Sequence, residues 1–351
     1  MKKTIAVLPG DGVGPEVTEQ AKNILQTIAG KFGHSFSFKQ GLIGAVAIDK
    51  TGNPYPEETH KLCLAADAIL FGAIGDPKYD NDPSAKIRPE QGLLKMRKAL
   101  GLYANVRPIF TFDKLLASSP LKEEIIKNTN FIVIRELIGG IYFGKRGRNK
   151  TRTVAFDTSE YSKKEIERIA KFAFDIAIKR NRKLTVVDKA NVLETSRLWR
   201  ETIQKMEKNF ADVETTYMFV DNASMQIIKR PSEFDVIVTE NMFGDILTDE
   251  ASVITGSLGM LPSASIGEKT AIYEPIHGSY PKAAGQNTAN PIGSILSAAM
   301  MLEYSFGLKQ ESEAIYKAVE KTLNIGFGTK DLSPQTVLGT KELGEKIKEI
   351  I

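Results

Sequence analysis

Apolar and polar positions along the N-terminal part of the chain predict strands and helices in turn. Ile5 to Leu8 is a short apolar run with the length of a buried strand. Pro15 then suits the first turn of a helix. Apolar residues recur at helical spacing along one face of that segment: Val17, Ala21, Ile24, Leu25 and Ile28. A second apolar run, Ala68 to Phe71, follows. This order of elements indicates an α/β fold with a largely parallel sheet.

The middle of the chain continues this alternation. Three further apolar runs predict buried strands, at 131–134, 184–188 and 235–238. Ser162 and Glu165 have the spacing of a capping box and predict a helix that runs to about Ile178. The segment from Gly139 to Asp157 differs, because it is rich in Gly, Arg and Lys and has weak periodicity. It predicts either a loop or an arm that reaches another subunit.

Size and composition narrow the class of protein. A chain of 351 residues exceeds the size at which one core stops growing, so we expect two domains. The lone Cys63, in an apolar segment, predicts a core residue and a reducing compartment, and we expect a cytoplasmic protein. No apolar run has the length of a membrane span, which argues against a membrane partner. The net charge of +4 comes from scattered basic residues and does not predict nucleic-acid binding.

Glycines follow the first predicted strand in the pattern Gly10-x-Gly12-x-Gly14. A glycine-rich turn between a strand and a helix can bind phosphate. The pattern is not the dinucleotide fingerprint, which needs G-x-G-x-x-G. Asp11 also argues against a phosphate directly on this loop, so a tight turn is the favoured interpretation.

Three arginines lie near apolar segments in the middle of the chain. Arg97 and Arg107 flank the segment 102–106, and Arg135 ends a predicted strand. Guanidinium groups bind carboxylates in a bidentate manner, so the three would suit a di-acid if they converge. An arginine at a strand end can also be an ordinary solvated residue.

Acidic residues suggest a metal site. Asp245 and Asp249 are four residues apart, which places both on one face of a helix. Carboxylates so arranged suit Mg²⁺ or Mn²⁺, although acids at a helix N-terminus also stabilise its dipole. Asp221 ends another predicted strand and is a candidate third ligand. Lys189, just beyond a strand, is either a base beside the metal or a solvated surface residue.

Longer motifs give these residues a context. The segments 8–16 (LPGDGVGPE), 241–249 (NMFGDILTD) and 274–279 (EPIHGS) resemble, in this order, the β-decarboxylating dehydrogenases that include isocitrate and isopropylmalate dehydrogenases. The resemblance covers nearly the whole chain. It implies two α/β domains of that family's type rather than a standard Rossmann fold. Domain one would bind coenzyme and comprise 1–102 plus 256–351. Domain two would comprise 103–255 and hold the metal, substrate and dimer interface, with an arm at about 139–157.

The resemblance implies a catalytic centre shared by two subunits of a homodimer. Tyr142 matches the family's proton donor, and Lys189 matches a base that crosses from the partner subunit. Asp245 and Asp249 would bind Mg²⁺ or Mn²⁺. Asp221, donated by the second subunit, would contact both the metal and the substrate.

The remaining implied contacts are to substrate and coenzyme. The substrate carboxylates would be bound by Arg97, Arg107 and Arg135. The coenzyme NAD would be bound by Gly75, His277, Gly278, Ser279, Tyr280, Lys282, Ala283 and Asn290.

Substrate selection is predicted from the helix before Arg97. Leu93 and Leu94 are apolar and Glu90 is acidic where isocitrate-using relatives have groups that meet a third carboxylate, and Val192 of the other subunit would complete an apolar wall. The resemblance therefore implies oxidative decarboxylation of (2R,3S)-3-isopropylmalate to 4-methyl-2-oxopentanoate and CO₂, a step of leucine biosynthesis. The alternatives are action on isocitrate, homoisocitrate, tartrate or D-malate, a non-catalytic regulatory subunit, and a plain nucleotide-binding module.

The coenzyme loop departs from the pattern of NAD-using relatives. Those relatives commonly carry Asp where Lys282 stands, and relatives that use NADP carry Lys followed by Tyr. Here Ala283 replaces that Tyr, while Lys330 and Pro334 stand where a second Tyr and an Arg of NADP-using relatives fall. A single lysine offers a point charge without a bidentate fork. We therefore expect NAD to be preferred, with weaker exclusion of NADP than an Asp would give.

Overall fold

A computed structural model describes residues 1–81 and 85–351. The chain divides into two compact units. Unit 1 comprises Met1–Leu102, Phe112–Ser118 and Thr255–Ile351, and unit 2 comprises Tyr103–Thr111 and Ser119–Ile254. Strands and helices alternate along both units, which confirms the predicted α/β class.

The strands, in chain order, are β1 Lys2–Gly10, β2 Ser35–Gln40, β3 Ala68–Ala73, β4 Ala104–Phe110, β5 Asn130–Glu136, β6 Arg146–Arg148, β7 Ala155–Asp157, β8 Lys183–Asp188, β9 Glu214–Phe219, β10 Val236–Thr239, β11 Pro262–Ile266, β12 Ala271–Pro275, β13 Phe327–Gly328 and β14 Thr336–Val337. The α-helices are α1 Gly14–Phe32, α2 Ala45–Thr51, α3 Glu57–Ala65, α4 Pro77–Asp80, α5 Pro89–Ala99, α6 Glu123–Ile126, α7 Lys163–Ile178, α8 Glu194–Met206, α9 Val220–Lys229, α10 Asn241–Ala251, α11 Ile292–Tyr304, α12 Lys309–Ile325 and α13 Thr340–Ile350.

Unit 1 is built on strands in the order β2–β1–β3–β12–β11. The pairs β1–β2, β1–β3 and β3–β12 are parallel, and β11–β12 is antiparallel. Helix α1 packs against α11 and α13 in this unit. The predicted apolar face of α1 is confirmed, because Val17, Ala21, Ile24, Leu25 and Ile28 are all 0% exposed.

Unit 2 is built on strands in the order β4–β5–β10–β8–β9. Strand β4 is antiparallel to β5, and the pairs β5–β10, β10–β8 and β8–β9 are parallel. The carboxyl ends of those parallel strands therefore share one edge of the sheet. Arg135, Thr239 and Val187 are in register across that edge. The predicted capping box is also present, since Ser162 and Glu165 hydrogen-bond each other's backbone at the start of α7.

Three features bear on the other predictions. Strands β6 and β7 form an antiparallel hairpin within the segment predicted as a loop or arm. Cys63 is fully buried, and burial raises the pKa of its thiol to about 11, which suits a core residue rather than a nucleophile. Over residues 1–81 and 85–351, no helix is both long enough and apolar enough to cross a membrane.

Candidate active site

Two arginines and two aspartates meet at the carboxyl edge of the unit 2 sheet. Arg135 is the penultimate residue of β5, and its side chain is only 3% exposed. One of its terminal nitrogens hydrogen-bonds Asp245 on α10. Its other nitrogens donate to the Asn241 side-chain oxygen at 3.0 and 2.7 Å. Helix α10 can approach this closely because Gly244 has no side chain, and a Cβ there would lie 2.6 Å from Arg135 Cγ. Arg135 is therefore held by two residues of the helix that carries the acids.

Arg107 on β4 extends this cluster. Its terminal nitrogens lie 3.7 Å from Asp245 and 3.7 Å from Asp249. Its Nε donates to Asn105 at 2.7 Å. Asp245 and Asp249 lie one turn apart on α10, so two positive and two negative groups share one small region. The guanidinium groups offset the repulsion between the two carboxylates.

Electrostatics distinguish the two aspartates. Burial alone would raise the pKa of Asp245, but Arg135 and Arg107 outweigh it and hold that pKa below its usual value. Partial desolvation by the surrounding protein raises the pKa of Asp249, with Arg107 opposing the shift and Asp245 adding to it. The Asp249 side chain is 69% exposed, so this carboxylate is open to a ligand from solvent. Carboxylates of this kind are hard oxygen donors of the type that Mg²⁺ and Mn²⁺ prefer.

Tyr142 joins the same cluster from the short 3₁₀ turn 140–142. Its hydroxyl donates to Asp245 at 2.9 Å, and its ring lies 5.7 Å from the Arg135 guanidinium. Burial and the neighbouring Asp245 carboxylate raise the pKa of the Tyr142 hydroxyl. Tyr142 is therefore protonated at neutral pH and can act as a proton donor.

Lys189 and Asp221 form a second group on unit 2. Lys189 follows β8, Asp221 lies in the first turn of α9, and the lysine ammonium donates to the Asp221 carboxylate. That hydrogen bond lowers the pKa of Asp221. Val192 lies nearby in sequence and is 60% exposed. Across the described residues, no three His, Cys, Asp or Glu side chains form a group able to hold a metal, so Asp221 does not join Asp245 and Asp249 within one chain.

The predicted substrate helix α5 lies in unit 1. Leu93, Leu94 and Glu90 are all partly exposed on it. Arg97, also on α5, donates to Glu274 at 3.2 Å in the same unit. The structure thus brings Arg107 and Arg135 together in unit 2 and places Arg97 in unit 1.

A cavity of about 840 Å³ lies in unit 1. Its lining contains four of the predicted coenzyme residues: His277, Gly278, Tyr280 and Asn290. The lining also includes residues that sequence reasoning did not select: Val13, Ser257, Leu258, Gly259, Thr288, Ala289 and Asp331. His277 Nε2 is buried, and no described side chain or backbone group bonds it. Burial lowers the pKa of His277, so the ring is neutral. Its Nδ1 donates to the Gly278 carbonyl at 2.9 Å, which leaves Nε2 as an acceptor for a donor group of a ligand.

Asp331 is the acidic group of this cavity. Its carboxylate accepts hydrogen bonds from Ser257 at 2.5 Å and from Asn290 at 3.1 Å, which fixes its orientation. Lys330 also lines the cavity. Lys282 is exposed and lies outside the described lining. Ala283 is buried in a cluster with Val13, Val17 and Ala289 rather than on the cavity surface.

The glycine-rich turn borders this cavity through Val13. The Asp11 carboxylate inside the turn accepts backbone N–H groups of Ala45, Val46 and Gly75, each at 2.9 Å. The Val13 N–H donates to the Ser279 carbonyl at 2.8 Å. The N–H groups of the turn itself, at Asp11, Val13 and Gly14, also donate to protein carbonyls rather than to a ligand. The segment is therefore a tight structural turn, as the sequence favoured.

The chain is similar in sequence and fold to known proteins. The family model for isocitrate/isopropylmalate dehydrogenase matches residues 4–347. The 3-isopropylmalate dehydrogenase of Aquifex aeolicus is 55% identical, covering 99% of this chain and 97% of that protein. Its counterpart in Bacteroides fragilis (strain YCH46) is 53% identical over 99% and 98% of the two chains. Among solved structures, isocitrate dehydrogenase from Methylococcus capsulatus has a TM-score of 0.89 at 32% identity, covering 99% of both chains.

Proposed function

Because the chain belongs to the isocitrate/isopropylmalate dehydrogenase family, we propose that it oxidises and decarboxylates (2R,3S)-3-isopropylmalate to 4-methyl-2-oxopentanoate and CO₂. The observation that carries this proposal is the 55% identity to a 3-isopropylmalate dehydrogenase over 99% of the chain. NAD is the proposed hydride acceptor. The reaction is a step of leucine biosynthesis.

Substrate choice is attributed to α5. Leu93 and Leu94 offer partly exposed apolar surface, and Glu90 adds a carboxylate on the same helix. Burial of an isopropyl group against such a surface makes the free energy of binding more favourable. A substrate carboxylate in that position would meet the negative charge of Glu90. These two effects favour 3-isopropylmalate over isocitrate.

The proposed chemistry assigns each proton and electron pair. Arg107 and Arg135, with Arg97, bind the substrate carboxylates. Lys189 is the proposed base: as the neutral amine it would accept the C2 hydroxyl proton, while C2 would lose hydride to NAD. The bond to the β-carboxylate then breaks, CO₂ departs, and its electron pair stays on the former β-carbon. Tyr142 delivers a proton to that carbon.

The Asp245–Asp249 pair fits a divalent cation, Mg²⁺ or Mn²⁺. The supporting observation is the donor set, since two carboxylates one turn apart lie beside arginines that counter their repulsion. The cation would polarise the C2 oxygen and stabilise negative charge there. Asp221 of a second subunit is proposed as the third protein ligand.

A homodimer is proposed because unit 2 exposes apolar residues from several elements. These are Val154, Phe156, Val192, Leu193, Met225, Ile246 and Val253, each at least 36% exposed. Where such residues adjoin one another, they form the kind of apolar patch that is typical of a protein interface. A second copy would cover it and would supply Lys189 and Asp221 to the neighbouring Tyr142 and Asp245.

NAD is favoured over NADP by the charge of the unit 1 cavity. Asp331 presents a carboxylate there, which can accept hydrogen bonds from ribose hydroxyls and repels a phosphate. The unpartnered His277 Nε2 supports a coenzyme in this cavity, because a buried polar atom without a partner is costly. Lys330 opposes Asp331 in part, so exclusion of NADP is expected to be incomplete.

A coenzyme-reduction assay tests the proposal. 3-Isopropylmalate, isocitrate, homoisocitrate, tartrate and D-malate should be compared with Mg²⁺ or Mn²⁺ and with either coenzyme. We expect the highest kcat/KM for 3-isopropylmalate with NAD. Equal or better turnover of another di-acid would assign the chain to a sister activity, and no turnover of any of them would favour a regulatory subunit.

A further inference from the structure

Asp188, the residue before Lys189, is built into the sheet edge rather than exposed. It ends β8 and is only 2% exposed. Its carboxylate accepts two hydrogen bonds from Arg200 on α8, with Nε and Nη2 each at 2.9 Å. The same carboxylate accepts the backbone N–H of Ala190 at 2.9 Å. Asp188 thus braces the backbone on both sides of Lys189.

Arg200 also contacts the neighbouring strand end. Its guanidinium lies 5.0 Å from the centre of the Phe219 ring and 5.4 Å from that of Tyr217. Phe219 ends β9, two residues before Asp221, and the Lys189 ammonium lies 5.9 Å from the same Phe219 ring. One guanidinium therefore links the ends of the two strands that carry Lys189 and Asp221.

We propose that Arg200 is a positioning residue, which acts through Asp188 and Phe219 to hold Lys189 and Asp221 in the arrangement that the reaction needs. This inference rests on the proposed function, because it takes Lys189 as the base. The inference assigns a role in the reaction to Arg200, which lies on α8, a helix without any of the predicted site residues.

The surrounding charges explain why the link has to be an arginine. Glu136 and Glu240 each follow a residue that is in register with Val187, so Glu136, Glu240 and Asp188 form a row of buried acids across β5, β10 and β8. Asp188 adds to the burial that raises the pKa of Glu240. A buried carboxylate needs strong donors, and the planar fork of arginine supplies two at once. Lysine would keep the charge but would lose the bidentate geometry.

The chain offers a matched control in the same unit. Arg180 bonds Asp235 through Nε at 2.8 Å, Asp235 is also 2% exposed, and the side-chain exposures of Arg180 and Arg200 are 21% and 26%. This pair lies at the opposite end of the sheet, since Asp235 precedes β10. Arg180→Met and Arg200→Met therefore remove comparable ion pairs, but only Arg200 is linked to Lys189.

The experiment compares Arg200→Met, Arg200→Lys and Arg180→Met with the wild type. Steady-state kinetics would use 3-isopropylmalate with hydrogen or deuterium at C2, and thermal unfolding would report stability. We expect kcat of Arg200→Met to fall on the order of 10- to 100-fold, the scale of a small misplacement of a catalytic group. KM for NAD should stay near the wild-type value because the coenzyme cavity lies in unit 1. The deuterium isotope effect on kcat should rise, because deprotonation and hydride loss become slower.

The other variants decide between positioning and general stability. Arg200→Lys should recover part of kcat, and Arg180→Met should lose stability while keeping kcat and the isotope effect of the wild type. Wild-type kcat in Arg200→Met would overturn the proposal, as would equal losses in both Met variants with an unchanged isotope effect. Should Arg200→Met not fold, wild-type kcat in Arg200→Lys would overturn it and a lower kcat with a raised isotope effect would support it. Absence of activity in the wild type would instead refute the proposed function.

Discussion

The Tyr142 hydroxyl donates to one carboxylate oxygen of Asp245, while Arg135 donates to the other. The proposed proton donor and a proposed metal ligand are therefore joined by one hydrogen bond. Because the guanidinium groups keep Asp245 ionised, this carboxylate always accepts and Tyr142 always donates. The hydroxyl proton of Tyr142 is therefore directed toward Asp245 on α10.

Removal of the Tyr142 hydroxyl should impair catalysis more than folding. We expect Tyr142→Phe to lower kcat by about 10²- to 10⁴-fold, the usual contribution of a general acid. Tyr79→Phe is a suitable control, since Tyr79 also donates to a carboxylate, Asp49, at 2.8 Å. Steady-state kinetics and thermal unfolding of both variants would check this. A kcat for Tyr142→Phe equal to that of the control would remove Tyr142 from the mechanism.

Stability should depend on pH through Glu240. Burial raises the pKa of Glu240 to about 7, with Asp188 and Glu136 adding to the shift. The unfolded chain ionises at a lower pH, so the stability contributed by protonated Glu240 is complete below the unfolded value of about 4.3 and is lost as the pH rises through about 7. Glu240→Gln removes this dependence and should stabilise the protein at pH 8 by on the order of 2 kcal/mol relative to its effect at pH 5.

Chemical unfolding of the wild type and Glu240→Gln at a series of pH values would measure that difference. Glu124→Gln is the control, because it is the same substitution at a side chain that is 74% exposed. A Glu240→Gln effect that does not vary between pH 5 and pH 8 would show that Glu240 is ionised throughout this range.

The pattern of the sequence was sufficient for elements whose information is local. The helical spacing in α1 and the spacing of Asp245 and Asp249 each depend on a single segment, and the structure has both on helices as expected. The row of Glu136, Glu240 and Asp188 was not predicted, because it depends on the register of three parallel strands. Each acid taken alone is only a polar residue at a strand end.

The unit 1 cavity was also only partly predictable from the sequence. Its lining comes from segments near 13, 257–259, 277–280, 288–290 and 330–331, which are far apart in the chain. Sequence reasoning found the 277–280 loop by its motif and gave weight to Lys282 because of its motif position. It did not select Asp331, whose importance depends on the fold of the C-terminal segment beside Ser257 and Asn290. The spacing of residues within one segment does not show that Asp331 lies close to Ser257 and Asn290 in the folded chain.

A site shared by two subunits should allow complementation. Lys189→Ala and Tyr142→Phe chains are each expected to be nearly inactive as pure dimers. In a mixed dimer, one of the two sites would receive an intact Tyr142 from one chain and an intact Lys189 from the other. We therefore expect part of the wild-type activity to return after the two kinds of subunit have exchanged. Mass spectrometry of the intact dimers would show that mixed dimers have formed. If mixed dimers form and remain inactive, Lys189 and Tyr142 serve the same site within one chain.

Coenzyme preference should depend more on Asp331 than on Lys282. Asp331 lines the cavity with its carboxylate fixed by Ser257 and Asn290, whereas Lys282 is exposed outside the described lining. An exposed charge is screened by salt, while a fixed carboxylate inside a cavity is screened less. Asp331→Asn keeps the size of the side chain and removes the charge, so the ratio of kcat/KM for NAD over NADP should fall about tenfold or more, which corresponds to about 1.4 kcal/mol.

Lys282→Asp should raise the ratio by a smaller factor, and raising the salt concentration should reduce its effect. Measured kcat/KM values for both coenzymes at low and high salt decide the matter, and a larger change from Lys282→Asp than from Asp331→Asn would make Lys282 the main determinant.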